Sequence, residues 1–421
     1  MEREVSAAFR DPGRIFGRRG YDPRPLPRRT SLVTLLALAL AGCSEAPSAA
    51  PPPKSGGFVG AAVCGECHEE RWNGFRRTTH HLTSQPPSLE TVRGSFKPPA
   101  NRMVTSNRDL WFDMEEKPSG LYVTARFGDG RERSERIDVV VGSGKFGQSF
   151  LSWRGANLFQ LPVSYFHAGD AWRNSPGPRY KDGTADFDRP ITPRCLECHS
   201  TWFGFSPSIP GGYLRDGNLL GVSCERCHGP GARHVEWHRA HPDTKEPFAI
   251  TSPADLPRER SLDLCGQCHG GVGELARAPF TYRPGELLAD HVHVKAQDPT
   301  APPGVHSANQ LVRLKESRCF QASDRMTCAT CHDPHVLERG DLLRFSKRCQ
   351  ACHEPKSCGM EPRVGASIAE NCIDCHMRRL PIESTMFDTP GATLHPTMLD
   401  HRIAVDRAAS EAILRERSAG K

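Results

Sequence analysis

Residues 221–234 read GVSCERCHGPGARH, and the five residues Cys224-Glu225-Arg226-Cys227-His228 inside that stretch decide how the rest of the chain is read. The pattern Cys-Xaa-Xaa-Cys-His occurs seven times: Cys64/Cys67/His68, Cys195/Cys198/His199, Cys224/Cys227/His228, Cys265/Cys268/His269, Cys328/Cys331/His332, Cys349/Cys352/His353 and Cys372/Cys375/His376. At this composition chance supplies about 0.03 copies. Two thiols three positions apart lie on one helical turn, where each can form a thioether with a vinyl group of haem. The next residue then presents its imidazole to the iron as proximal ligand. Zinc knuckles use cysteine pairs but do not need histidine at the following position every time. Redox disulfides within such pairs do not come in seven copies. The expected cofactor is haem c, seven copies, covalently bound.

The spacing of the motifs divides the chain. The first stands alone at 64–68, and the other six lie between 195 and 376. At that density side chains are too few for a conventional core, and the porphyrins themselves must supply it. The expected fold is therefore a multihaem cytochrome c: mostly short α-helices and loops around stacked haems, with a small antiparallel β insert. The insert is read from DLWFDM (109–114), GLYVTARF (120–127) and SERIDVVVG (134–142), with GDG (128–130) and SGLY (119–122) as reversals. NQLVRLKESRC (309–319) reads as a helix, and RIAVDRAASEAILRER (402–417) as a short amphipathic one.

The N-terminus reads as an address and a tether. Arg28-Arg29 precede an apolar run that ends Leu40-Ala41-Gly42-Cys43, a positive segment followed by an h-region too short to span a membrane. LAGC resembles the lipobox of bacterial lipoproteins, whose cysteine carries lipid. Ser44 after it resembles the sorting pattern for the outer membrane. SEAPSAAPPPKSGG (44–57) then reads as a semi-extended linker reaching about 40 Å at about 3 Å per residue. The domain reading is a leader at 1–43, linker at 44–57, first haem segment at 58–100, β insert at 101–190, six-haem domain at 191–405 and tail at 406–421. This places the protein on the periplasmic side, anchored to the membrane through a lipid on Cys43. The formal net charge is +6, but residues 1–42 carry eight arginines against four acids, which leaves 47 basic and 45 acidic side chains beyond them. That balance argues against a nucleic-acid partner. Cys319 and Cys358 remain outside the motifs, either paired with each other or as separate thiols.

Seven irons need a second axial ligand, and twelve histidines lie outside the motifs. His80 and His81 lie a short helix beyond the first motif, and one of them is expected to ligate. His234 follows the third motif, His335 the fifth, and His401 sits in LDHRI; His306 precedes the helix at 309–319. Pro334 stiffens the chain between His332 and His335, so His335 cannot reach the distal side of its own haem and is expected to ligate another. His291, His293 and His395 are weaker candidates, and His167, His238 and His241 are taken as surface residues.

TTHHL (78–82), TVRGSF (91–96), VVGSGKFGQSFL (140–151), LFQLPVSYF (158–166), CLECHSTWF (195–203), GVSCERCHGPGARHVEW (221–237), MTCATCHDPH (326–335), NCIDCHM (371–377) and DHRI (400–403), in this order, resemble a family of bacterial multihaem c-type cytochromes. Its members often carry tetratricopeptide repeats after the haem region, and it is related to the tetrahaem electron carriers of ammonia oxidisers. The resemblance covers about residues 58–405. It implies a periplasmic electron-transfer role and distal ligation by His80 or His81, His234, His335 and His401. EPKSCGMEP (354–362) departs from the pattern, where such proteins often place a histidine pair, and leaves the ligand of the Cys349/Cys352 haem open.

The functional expectation is an exported cytochrome passing single electrons along its haems between periplasmic or membrane redox partners, such as redox proteins or quinol-linked complexes, with no catalytic residue of its own. The alternative is a multihaem oxidoreductase of the nitrite reductase or hydroxylamine oxidoreductase sort with one open haem site. No motif replaces its histidine by lysine, as the pentahaem nitrite reductases do, and no convergent cluster of Arg, Tyr and His is legible.

Overall fold

The structure is a computed structural model that describes residues 57–421 except 178–181, 207, 272, 295–308, 383–386, 390–391, 396 and 420–421. The leader, nearly all of the linker, Cys43 and His306 lie outside the described residues. Each Cys-Xaa-Xaa-Cys-His stretch closes as a single turn when the histidine N–H reaches the carbonyl of the first cysteine. His68 does so on Cys64 and His332 on Cys328 at 2.9 Å, His353 on Cys349 at 3.0 Å and His376 on Cys372 at 3.1 Å. Both cysteines then lie on one side of the turn.

Helices α1 (Ala61–Gly65) and α2 (Glu69–Phe75) hold the first motif. The second motif ends α3 (Pro193–His199), which opens on Pro193, a residue whose fixed φ suits a first turn. The third is α4 (Cys224–His228) itself, stopped by Gly229 at φ +86° and followed by α5 (Ala232–Ala240). The fourth ends α6 (Arg258–His269). Then come α7 (Gln310–Lys315), α8 (Arg318–Gln321), α9 (Leu342–Gln350), α10 (Glu361–Val364), α11 (Ile373–His376) and α12 (Arg407–Ala419). The stretch 309–319 is thus two helices and not one. Ser317 breaks it, with extended backbone at ψ 133° and a hydroxyl that donates to the His401 carbonyl at 3.0 Å.

The β insert is larger than the sequence suggests. Ten strands form two sheets: β1 (Ser84–Gln85), β2 (Arg102–Val104), β3 (Leu110–Lys117), β4 (Gly120–Phe127), β5 (Glu132–Arg136), β6 (Val139–Val141), β7 (Gly147–Arg154), β8 (Asn157–Phe166), β9 (Ala171–Asn174) and β10 (Arg189–Pro190). One sheet runs β2-β3-β4-β5; the other runs β1-β6-β7-β8-β10, with β9 also on β8, and all pairs are antiparallel. The run at 134–142, which reads as one strand, is divided between the sheets. Ile137 N–H donates to Leu121 of the first sheet and Asp138 N–H to Leu151 of the second, each at 2.8 Å.

Alternation along the strands builds two cores. Phe112, Met114, Val123, Phe150 and Val163 are buried between the sheets. Leu151, next to Phe150, belongs to a second cluster with Leu158, Leu196, Phe203, Tyr213 and Phe280. The six-stranded sheet is therefore covered on both faces, by the other sheet and by the segment carrying the second motif. That is why β8 is buried at almost every position. In the helical region the apolar clusters are smaller. Leu262, Leu311, Leu314 and Phe320 form one, and Leu264, Tyr282, Leu288 and Val292 another. So the insert has its own side-chain core, while the motif-bearing segments have little.

Candidate haem-binding site

Four motif histidines each face a second histidine from another part of the chain. The ring centroids of His68 and His234 lie 6.4 Å apart, of His228 and His335 6.2 Å, of His269 and His80 6.1 Å, and of His332 and His401 6.2 Å. Two metal–imidazole bonds of about 2 Å, with about 1.1 Å from nitrogen to centroid at either end, put two ring centres about 6 Å apart. The pairs thus have the span of two axial ligands on one iron, and the donor set fits haem.

Five of these eight histidines are held in the tautomer that ligation needs. Nδ1 of His228 lies 2.9 Å from the Thr251 carbonyl, that of His234 3.0 Å from the Phe248 carbonyl, and that of His401 3.3 Å from the Leu399 carbonyl. Nδ1 of His335 meets Asp333 Oδ1 at 3.0 Å, and that of His269 meets Gln310 Oε1 at 3.3 Å. These oxygens only accept, so each Nδ1 carries the proton and Nε2 keeps its lone pair for a metal. Burial pushes His80 and His401 down to about 4, and lowers His228, His269 and His332 as well, so the rings are neutral at neutral pH.

Of the two neighbouring candidates, His80 faces His269, whereas His81 packs against the rings of Trp72 and Phe75. His199 Nδ1 lies 3.0 Å from Thr83 Oγ1. Among the described residues neither His353 nor His376 has a second histidine ring facing it, although the two lie within electrostatic reach of each other. His395 keeps a buried Nδ1 without a hydrogen bond. His291 is buried beside Tyr282 with Nε2 3.0 Å from Glu286, a structural setting. His238 is not a surface residue: it is half-buried, its ring lies 4.5 Å from that of His234, and its Nε2 is enclosed. Among the described residues no disulfide joins Cys319 to Cys358.

The motif turns come together in pairs. Cys198 Sγ touches the Gln267 carbonyl and Cys268 Sγ the Glu197 carbonyl, both at 3.9 Å, so the second and fourth motifs pack reciprocally. The sulfurs of Cys64 and Cys224 are neighbours, as are those of Cys265 and Cys328, and in each pair the nearby thiol pushes one partner up. Cys331, Cys349 and Cys372 lie within reach in that order, which joins the fifth, sixth and seventh motifs. Glu225, between the cysteines of the third motif, is buried. Its carboxylate accepts from the backbone N–H groups of Val59, Gly60 and Gly231, each at 2.8 Å, and so pins the first motif to the third. Sequence reasoning missed it. The available signal was an acidic residue inside a motif followed by Gly-Pro-Gly, whose backbone needs acceptors.

The motif cysteines are not equally enclosed by the surrounding chain. Cys67, Cys195 and Cys352 are exposed, while the other eleven are half-buried. The cause at Cys67 and Cys352 is their place at the surface end of the turn. Residues 66–71 around Cys67 and 351–354 around Cys352 are exposed without a break, because no apolar residue there packs inward. Their partners Cys64 and Cys349 lie one turn earlier and face other motifs. Cys352 still comes within electrostatic reach of Cys331, whereas Cys67 is not among the cysteines that the fold gathers between motifs.

Fold and site together define a c-type cytochrome that carries several haems. Residues 170–229, which include the second and third motifs, match the family model of cytochrome c554 and c-prime. The chain is similar to cytochrome c-554 of Nitrosomonas europaea, 32% identical over 113 residues, which is 24% of this chain and 44% of that protein. The chain therefore matches less than half the length of that relative. Its fold is similar to that of the outer cell wall cytochrome OcwA, with a TM-score of 0.52 and 17% identity over 84% of this chain and 81% of the other. These likenesses and the repeated motif mark the chain as a bacterial multihaem c-type cytochrome, with covalently bound haem c implied.

Proposed function

We propose that the protein is an exported electron carrier that holds seven covalent haems and passes single electrons between periplasmic or membrane redox partners. Haem supplies an iron that takes up and releases one electron. The observation that carries the reading is the set of four facing histidine pairs at 6.1–6.4 Å. A site closed on both sides by imidazole exchanges electrons without binding substrate. The contacts between motif turns support haems stacked side by side in the order first, third, fourth, fifth, sixth, seventh, with the second branching from the fourth. The LAGC cysteine and the linker after it support a lipid anchor on Cys43, in the outer membrane by the sorting pattern at Ser44, with redox proteins or quinol-linked complexes as partners.

The alternative, an oxidoreductase with an open haem, has its best location at the sixth and seventh motifs, where no second histidine ring faces His353 or His376 among the described residues. A spectrum of the fully reduced protein with and without carbon monoxide tests both readings. A carrier shows little or no change, because a saturated iron binds the gas poorly. A change equivalent to one or more haems would favour the oxidoreductase.

A further inference from the structure

The third motif places two adjacent charged residues, Glu225 and Arg226, inside one turn, and both are buried, at 2% and 5% exposure. They point to different neighbours. Glu225 binds Val59 and Gly60, and the Gly60 carbonyl in turn contacts Cys64 Sγ at 3.9 Å. Its charge lies within reach of Cys64 and Cys224, the sulfurs of the first and third motifs. Arg226 goes the other way. Its guanidinium lies 5.2 Å over the Phe280 ring and within reach of Cys198 and Cys268, the sulfurs of the second and fourth motifs, and its charge also reaches Cys227 of its own motif.

The Arg226 guanidinium has no hydrogen-bond or ion-pair partner among the described residues, and its Nε is enclosed. A buried, uncompensated guanidinium is expensive unless something nearby draws on its charge. Its neighbours add to the field. Phe280, fully buried and at φ +60°, gives its N–H to Glu197 at 2.7 Å, and its carbonyl accepts from Arg283 at 2.9 Å. Arg194 reaches the same Glu197 at 3.2 Å and the Gln267 carbonyl at 2.6 Å. Two guanidinium groups thus meet Phe280, and a third, Arg194, shares with it the Glu197 carboxylate. Around Glu225 the only direct partners among the described residues are neutral N–H groups.

We propose that Glu225 and Arg226 impose opposite fixed charges on the haem sites around the third motif, making the sites at the second and fourth motifs the more oxidising and the site at the first the more reducing, with the third between them under both charges. A nearby cation stabilises the added electron of a reduced haem, and a nearby anion opposes it; in a low-dielectric interior both effects are strong. Every haem brings the same two propionates, so the difference between the sites comes from the chain. Electrons then run downhill across the third motif, from the first site to the second and fourth.

This inference rests on the haem reading above, and a pyridine haemochrome count on the wild-type holoprotein tests that reading separately. The inference itself is tested by redox titration followed by electron paramagnetic resonance, using the signal of the haem between His80 and His269, whose ligand rings stand at 82° and give it a distinct spectrum. Arg226→Gln should lower the reduced-to-oxidised ratio of that haem about tenfold at fixed potential, which is about 59 mV for a one-electron couple. Arg226→Lys should restore most of it, and Arg283→Gln should shift it in the same direction by less. Glu225→Gln should raise the ratio at the haem of Cys64/Cys67. With haems fully loaded, an unchanged potential in Arg226→Gln and Arg283→Gln, or an equal shift at all haems, would overturn the proposal.

Discussion

Arg313 and Asp400 form a buried ion pair, Nη1 to Oδ2 at 3.1 Å, with side chains 6% and 8% exposed. Asp400 is the residue before His401, and its other oxygen accepts the Arg402 N–H at 3.0 Å. The pair fixes the backbone that presents His401 to His332. Removing one partner of a buried pair leaves the other charge uncompensated, at a cost of about 3–5 kcal/mol. Asp400→Ala should lower the thermal unfolding midpoint and weaken ligation at the haem of Cys328/Cys331. The check is a high-spin fraction in the absorption spectrum that wild type lacks; an unchanged spectrum and midpoint would remove the pair's assigned role.

His335 faces His228, the proximal residue of the third motif, from a segment more than a hundred residues further along. His335→Ala should keep every thioether-linked haem, convert one iron from low to high spin and open it to carbon monoxide. Electron paramagnetic resonance of the variant decides the matter, and a spectrum identical to wild type would disprove the ligation.

The ring planes of His80 and His269 stand at 82°, those of His68 and His234 at 17°. Perpendicular imidazoles leave two iron d orbitals nearly equal in energy and give a highly anisotropic low-spin signal; near-parallel ones split those orbitals and give an ordinary rhombic one. The holoprotein should show both kinds. His80→Ala should abolish the anisotropic signal and spare that of the Cys64/Cys67 site.

Asp188 accepts from Arg133 and Arg154, and those two guanidinium groups hold its carboxyl down at about 2, against an ordinary value of 3.8. The folded state therefore favours the charged form. The contribution to stability is present above the ordinary carboxylate range and is lost as pH falls toward 2. Denaturant titrations of wild type and Asp188→Asn should differ at pH 5 and converge near pH 2. A constant difference across that range would show that the carboxylate does not act through its charge.

Haem number and anchoring are open to direct measurement. Intact mass of the holoprotein should exceed the chain mass by seven haems, and a count of six or fewer would contradict the reading of one haem per motif. Cys43→Ser should release the protein from membranes with its haem spectrum intact; continued attachment would point to another anchor.

What could be read in the sequence was local. The seven motifs are set by covalent spacing, and the strand runs at 109–114 and 120–127 by alternation over a few residues. The division of 134–142 between two sheets was not legible, because the handover at Ile137 and Asp138 depends on carbonyls of Leu121 and Leu151. His80 and His81 are alike in sequence, and only the packing of His81 on Trp72 and Phe75 separates their surroundings. Buried Glu225, Arg313 and Asp400 look like ordinary surface charges until their partners, up to 166 residues away, are known, and Arg226 does so until its burial is known.

The facing histidines have a consequence for how the molecule is made. His68 meets a residue beyond the third motif, His228 one beyond the fifth, and His332 one beyond the seventh, while His269 reaches back to the segment after the first. None of these four sites is finished by its own neighbourhood in the chain. Thioether formation needs only five consecutive residues and can proceed on an extended polypeptide as it emerges. At the first, third and fifth motifs, closing the second side of the iron must await chain segments still to come, across long loops that form slowly; at the fourth, His80 is already made when His269 emerges. Under the ligation proposed above, newly haemylated chain passes through a stage of half-coordinated, ligand-accepting irons, and the arrival of His401 ends that exposure at the fifth motif.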